Sequence, residues 1–270
     1  MTTIAITNQK GGVGKTTTTV NLAASLAANG QRVLLIDLDP QGNATMGCGV
    51  DKHALEFSVY DVLMHGARVE AVRQRAQDAG FDVIPANADL TAAEVELVTA
   101  SVREHRLRDA LARVKHDYDY VLIDCPPSLN MLTVNALVAA DSVLIPVQCE
   151  YYALEGLSSL LNTVTRVQKT LNPQLRIEGL LRTMHDARNS LTNEVSMQLI
   201  QHFGSRVYAT LIPRNVRLAE APSHGMPALV YDAASRGALA YLAAATEMLG
   251  RHGKQSTVAA PESTAAVAGD

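Results

Sequence analysis

Tryptophan is absent from this chain of 270 residues, and aromatic side chains of all kinds make up only 4% of it. The stacking platforms by which many single-strand and RNA binders hold bases are therefore not expected, and any nucleic-acid contact should run through phosphates. Cysteine is scarce too. Cys48, Cys125 and Cys149 are odd in number, far apart and without CxxC spacing, so the expectation is small, partly buried thiols rather than a disulfide framework or a zinc site. No apolar run approaches the roughly 18 residues of a transmembrane helix. The amino terminus, MTTIAITNQK, has no basic region ahead of an apolar stretch, which points away from a secretory signal and toward the cytoplasm. Positive charge is not in excess either. A net charge of −4 argues against a surface coated in Lys and Arg and leaves room only for a local basic face.

What is present is an ordinary globular composition, 47% hydrophobic and 19% charged. A chain of this length buries roughly 70–75% of its unfolded surface in one α/β domain without help from metal or disulfide. Strand-like runs of Ile, Val and Leu recur at 4–7, 32–37, 81–85, 120–124, 142–146, 176–181 and 207–212. Several are apolar at consecutive positions, the pattern of strands covered on both faces. Helical segments fall between them, most clearly at 16–28, 90–98, 102–114, 154–171 and 191–202, and Asn29-Gly30 supplies a stop for the first. This βαβα order predicts a doubly wound, mostly parallel sheet flanked by helices, with ligands beyond the carboxyl ends of the strands. One domain is expected over residues 1–251. Residues 252–270 are expected to be a disordered tail, because Gln255–Asp270 is mostly Ala, Ser, Thr, Gly and Pro with no Lys or Arg.

The strongest local signal is Lys10-Gly11-Gly12-Val13-Gly14-Lys15-Thr16-Thr17, between the first strand and the first helix. Glycines let successive backbone N–H groups converge on phosphate oxygens, and the helix N-terminus adds its positive dipole end. Lys15 is placed to neutralise the β- and γ-phosphates, and the Thr16 hydroxyl to ligate Mg²⁺. The ordinary GxxxxGK[ST] pattern wants Gly at position 9. Here Gln9 stands there, followed by an additional lysine, Lys10. Two further apolar strands end in carboxylates, one at Asp37 and Asp39 and the other at Asp124, followed by Cys125-Pro126-Pro127-Ser128. Asp37 and Asp39 share a strand face, so both can face the nucleotide, with Asp39 freer to reach metal-bound or attacking water. Asp124 is placed like the acid that holds Mg²⁺ in phosphate-loop ATPases. No glutamine or glutamate stands out in the sequence as one that orients water, so slow hydrolysis without a partner is expected.

Taken in order, KGGVGKTTT, LLIDLDPQGNAT, YVLIDCPPSL, VLIPVQCEYYALEGL and TLIPRNVRLAEAPSHG resemble the ParA/Soj partitioning ATPases, within the MinD/ParA class with the deviant Walker A loop. The resemblance covers most of the chain and implies a cytoplasmic, nucleoid-associated switch that uses ATP and Mg²⁺. It implies an ATP-sandwich homodimer in which Lys10 crosses to the phosphates held by the other subunit, as an arginine finger does. Gly11 would then lie where two chains meet. By the same resemblance Asp39 and Asp124 are the two switch residues, both near the metal with Thr16, and Pro213 and Asn215 surround the adenine base.

The resemblance further implies that the ATP dimer binds double-stranded DNA without sequence preference and is released by hydrolysis stimulated by a ParB-type partner. Between Arg176 and Arg236 seven arginines face five acids, an excess of only two, and dimerisation would double it. Arg188, Arg214 and Arg217 are the candidates for DNA contact. Other readings share the loop. A MinD-like ATPase acting on a protein or membrane surface would end in a basic amphipathic helix, which the tail does not offer. An iron–sulfur reductase would need bridging cysteines that these three do not match, and a cluster-assembly relative a CxxC. A small-molecule ligase or kinase would show a second substrate pocket. Long plasmid members carry a helix-turn-helix region ahead of the loop, and nine residues before Lys10 leave no room for one, so operator-specific repression is not expected.

Overall fold

The computed structural model describes residues 1–258. Eight strands form one sheet: β1 (Thr2–Ile6), β2 (Val33–Asp37), β3 (Gln74–Ala76), β4 (Phe81–Ile84), β5 (Tyr120–Asp124), β6 (Ser142–Gln148), β7 (Arg176–His185) and β8 (Val207–Pro213). Their order across the sheet is β3-β4-β2-β5-β1-β6-β7-β8, parallel throughout except for β3, which runs antiparallel to β4 at one edge. The helices among them are α1 (Lys15–Ala28), α2 (Asn43–Gly47), α3 (Val59–Met64), α4 (Val69–Val72), α5 (Leu90–Thr99), α6 (Arg106–Leu111), α7 (Met131–Ala139), α8 (Ala153–Thr170), α9 (Ser190–Phe203), α10 (Val216–Glu220), α11 (Ala228–Tyr231) and α12 (Arg236–Val258).

The consecutive apolar runs have the expected cause. In β2, Leu34 and Ile36 enter the core on one face of the sheet while Val33 and Leu35 enter the core on the other. The same division separates Val121 and Ile123 from Tyr120 and Leu122 in β5. One core includes α3, α5, α6, α7, α8 and α9, and the other is built around α1 and α12. Every residue of β2 and β5 is buried, so alternation with polar residues would leave unpaired polar groups inside.

The expected helix over 102–114 is shorter in the structure. Val102 has φ of 52°, a backbone that a β-branched residue does not continue into a helix, and α6 begins only at Arg106, passing into a 3₁₀ turn over Ala112–Val114. The short edge strand β3 and the apolar helix α7 complete the sheet and its cover. α12 runs to Val258, beyond Arg251, and the rest of the expected tail, 259–270, lies outside the described residues. Among the described residues no helix is long and apolar enough to cross a membrane.

Register places the chemistry. β1, β2 and β5 are neighbours, and Ile6 and Asp37 both stand opposite Asp124 at the carboxyl ends. The phosphate loop after β1 and the acidic ends of β2 and β5 therefore open on one edge of the sheet.

Candidate nucleotide site

α1 starts without a side-chain cap and without an acidic residue in its first turn. Its N-cap, Gly14, has φ of 85°, and Gly12 has φ of 74°, conformations that L side chains rarely adopt. The first N–H groups of α1 are thus left for an anion, which is the donor arrangement a polyphosphate fits. The loop is held from a distant strand: Thr183 Oγ1, at the end of β7, donates to Val13 O at 2.8 Å. Lys15 is 92% buried beside the cleft, and burial lowers its pKa while Asp124, Cys125 and Asp39 push it back up. Its Nζ lies 3.4 Å from Lys10 O.

Thr16 Oγ1 donates to Asp124 Oδ2 at 2.7 Å, and Thr19 Oγ1 lies 3.0 Å from Asp124 Oδ1. Asp124 is fully buried, and burial followed by the charge of Asp37 raises its pKa. Asp37 is raised for the same first reason. Two buried carboxylates side by side, with a hydroxyl turned onto one of them, form a donor set suited to a hard divalent cation at the Thr16 and Asp124 end.

Asp37 and Asp39 do not share the cleft. Asp37 is fully buried and accepts from Thr45 N and Thr45 Oγ1, both at 2.8 Å, and from Asp39 N at 3.1 Å. It anchors the turn that Asp39 begins. Only Asp39 lines the cleft, its Oδ1 accepting from Gln41 N at 2.9 Å. The turn needs Gly42, whose φ is 62° and where a Cβ would come within 2.7 Å of Ala86 O.

The main cleft, of about 660 Å³, runs from Gly11 and the loop to Asp39 on one side and to Pro126, Pro127 and Ser128 on another. It joins a smaller, mostly apolar hollow of about 260 Å³ through the shared residues Gly14, Thr17 and Met184. Pro213, Arg214 and Asn215 line this hollow together with Leu218 and Tyr241. Asn215 Oδ1 is buried without a hydrogen-bond donor among the described residues, and Gly237 leaves it room, a Cβ there lying only 3.1 Å away. An amide oxygen kept dry in an apolar hollow next to a phosphate cradle is an acceptor for an exocyclic base amine.

The AAA domain family matches residues 1–177. The sporulation initiation inhibitor protein Soj of Bacillus subtilis is 60% identical over 91% of this chain and 97% of its own length. The chromosome partitioning protein ParA of Caulobacter vibrioides is 52% identical over 95% and 97%. The chain belongs to the ParA/Soj family of chromosome-partitioning ATPases. A crystal structure of cobyrinic acid a,c-diamide synthase from Mycobacterium smegmatis, with bound ATP analog and magnesium, superposes with a TM-score of 0.83 at 39% identity, covering 95% of this chain and 97% of that one.

Within this ParA/Soj chain, Lys10 stands apart from the cleft that begins at Gly11: its Nζ is 2.6 Å from Glu150 Oε2. Of the three arginines considered for DNA, Arg188 is paired with Asp186 at 2.9 Å, and Arg217 with Glu220 at 2.7 Å and Asp232 at 3.2 Å. Arg214 has no ion pair within 4.0 Å among the described residues. Its backbone N–H donates to His185 O, which joins the ends of β7 and β8, and the charges of Arg188 and Arg214 both help to lower Asp186. All three cysteines are buried and unpaired by disulfide. Burial pushes Cys149 up to about 11 and Cys125 higher, so neither is presented as a thiolate ligand.

Sequence reasoning missed Thr183 and Met184, whose part depends on β7 reaching the loop from 170 residues away. It also saw no glutamine or glutamate to orient water. Gln41 and Glu94 both line the cleft. Gln41 lies two residues after Asp39 in the motif already singled out, whereas Glu94 carries no motif signal at all.

Proposed function

We propose that this chain is an ATP-dependent switch for chromosome or plasmid partitioning, in which the ATP-bound state closes a homodimer that binds double-stranded DNA and hydrolysis opens it. The supporting observation is the position of Lys10. Its ammonium pairs with Glu150 instead of entering its own cleft, while the backbone at Gly11 faces open space with no atom within 4 Å of a Cβ. A cation outside its own site, beside a face bare enough for close approach, suits delivery to a second copy.

In this reading the N–H groups of Gly12 to Thr17 and the Lys15 ammonium bind the triphosphate, and the Asn215 carbonyl with Pro213 holds the adenine. Thr16 and Asp124 would hold Mg²⁺, and Asp39, on the cleft wall, would face the attacking water. When bound, Mg²⁺ would withdraw charge from the phosphate oxygens. Asp39 orients water toward the γ-phosphorus, the bond to the bridging oxygen breaks, and ADP and phosphate leave. A ParB-type partner accelerates this step, and the protein works in the cytoplasm on the nucleoid.

Arg188, Arg214 and Arg217 supply the DNA face. The ion pairs of Arg188 and Arg217 are exposed and screened by water, so phosphates can take the place of the carboxylates. Arg214 lines the base hollow and reaches the surface, which ties the DNA face to nucleotide state.

The test is binding to random-sequence duplex DNA at fixed moderate salt with ATP and with ADP, using Asp39→Ala to hold the ATP state. Binding with ATP alone, weakened by Arg214→Ala with a salt dependence shallower by about one phosphate per subunit, is expected. Lys15→Ala should abolish it by removing nucleotide binding. No DNA binding in either state, with the ATP dimer verified by sedimentation, would transfer the assignment to a switch acting on a protein or small molecule.

A further inference from the structure

Glu94 lines the cleft together with Pro126, Pro127 and Ser128. Helix α5 brings it there, and its Oε1 accepts a hydrogen bond of 2.5 Å from Asn130 Nδ2. The Asn130 amide has no freedom to turn around. As the N-cap of α7, its Oδ1 accepts from the backbone N–H groups of Leu132 and Thr133, each at 3.1 Å, which leaves Nδ2 as the only donor for Glu94. The first turn of α7 then reaches back to the cleft, where Thr133 Oγ1 donates to Ser128 O at 2.7 Å. Glu94, Asn130 and Thr133 thus form a relay between α5 and the loop that follows Asp124.

Two features of the relay exceed what helix stability requires. Aspartate and serine cap helices as well as asparagine does, so the amide nitrogen is what Asn130 adds, and it is spent on Glu94. A carboxylate on the wall of a cleft that already holds Asp39 is an electrostatic cost toward any anionic substrate.

We propose that Glu94 is a positioning residue for ATP hydrolysis. Acting through Asn130, it fixes the Pro126–Ser128 loop in the cleft that Asp39 also lines, without itself touching the reacting atoms. Substrate affinity comes from the phosphate loop and the base hollow, so the relay governs turnover and not binding. The inference rests on the ATPase reading and adds residues which that reading does not use.

The experiment is steady-state ATP hydrolysis by the full chain, with kcat and KM measured separately and thermal melting as control. Glu94→Ala and Asn130→Asp are each expected to lower kcat five- to tenfold, with KM within twofold and Tm within 2 °C of wild type, since the aspartate still caps α7. Glu94→Gln keeps an acceptor for Asn130 and should retain at least half of kcat. In the double variant Glu94→Gln/Asn130→Asp the new amide donates to the new carboxylate, reversing the bond, and kcat should return to within twofold of wild type. An Asn130→Asp variant as fast as wild type, or a double variant no faster than Asn130→Asp alone, would overturn the relay. Glu94→Gln as slow as Glu94→Ala would also overturn it, because the carboxylate would then act directly on water. Absence of turnover in the wild type would instead remove the ATPase reading, and the relay with it.

Discussion

Lys10 Nζ and Glu150 Oε2 are 2.6 Å apart, so the extra lysine of the phosphate loop is held within its own chain by a carboxylate from the segment after β6. The two side chains are 35% and 47% exposed, and a pair this open to water contributes under about 1 kcal/mol. In the proposed dimer Glu150 would therefore compete only weakly with the phosphates of a second subunit for Lys10. Glu150→Gln is expected to lower the ATP concentration for half-maximal dimerisation by about two- to fivefold at low salt, an effect that fades as salt rises. Sedimentation velocity on the Asp39→Ala background measures it, and an unchanged midpoint would mean that Glu150 does not compete.

Gly11 is the loop glycine that needs no special backbone, since its φ is not positive and a Cβ there meets nothing within its own chain. Its smallness matters only toward something outside. Gly11→Val should fold with Tm within about 2 °C of wild type and bind ATP, yet remain monomeric by light scattering. Dimerisation as in the wild type would place the contact face elsewhere.

Asp124 is buried beside Asp37; burial raises both, and the charge of Asp37 raises Asp124 further. Removing one charge relieves the other. Asp124→Asn should raise the melting temperature of the nucleotide-free protein by about 2–4 °C, the equivalent of about 1 kcal/mol for a domain of this size. The same change should reduce ATP turnover by about two orders of magnitude. Wild-type protein gains further stability from Mg·ATP by mass action and the variant should gain far less, which calorimetry with and without ligand resolves.

Glu178 on β7 is buried, which by itself would raise its carboxyl, but hydrogen bonds from His252, Tyr208 and Ser142 outweigh this and hold it below its ordinary 4.5. The distances are 3.0, 3.0 and 3.1 Å. An acid depressed by folding stabilises fully above its unfolded value, and that contribution is lost as pH falls through its folded value. The wild type should therefore lose Tm more steeply than Glu178→Gln below pH 4.5, while at neutral pH the variant is less stable by about 1–3 kcal/mol. Parallel Tm profiles from pH 7 to pH 3 would show that Glu178 is not the group responsible.

The strands were legible because burial on both faces writes itself as uninterrupted Val, Ile and Leu, as in Val33 to Ile36. The phosphate loop was legible because its chemistry is local, with glycines, lysine and threonine consecutive. α7 was harder to see, since MLTVNALVA is apolar on most sides and carries no amphipathic rhythm. Strand period put Asp37 on the same face as Asp39, and only Thr45, eight residues on, shows that Asp37 serves the turn. Glu94 and Thr183 were invisible for a different reason. Each gains its role from a neighbour far along the chain, and a single sequence does not record that proximity.

Thr183 has one further consequence. Its bond to Val13 is among the threads by which the last third of the chain reaches the phosphate loop, for the loop itself, Asp39 and Asp124 all precede residue 130, whereas Met184, Pro213 and Asn215 follow residue 180. A change at the end of β7 is therefore felt at the phosphate loop. In the proposed nucleotide complex the groups that would hold the base and those that would hold the phosphates come from separate stretches of the chain. The Thr183 hydroxyl on the Val13 carbonyl is one of the joints between them.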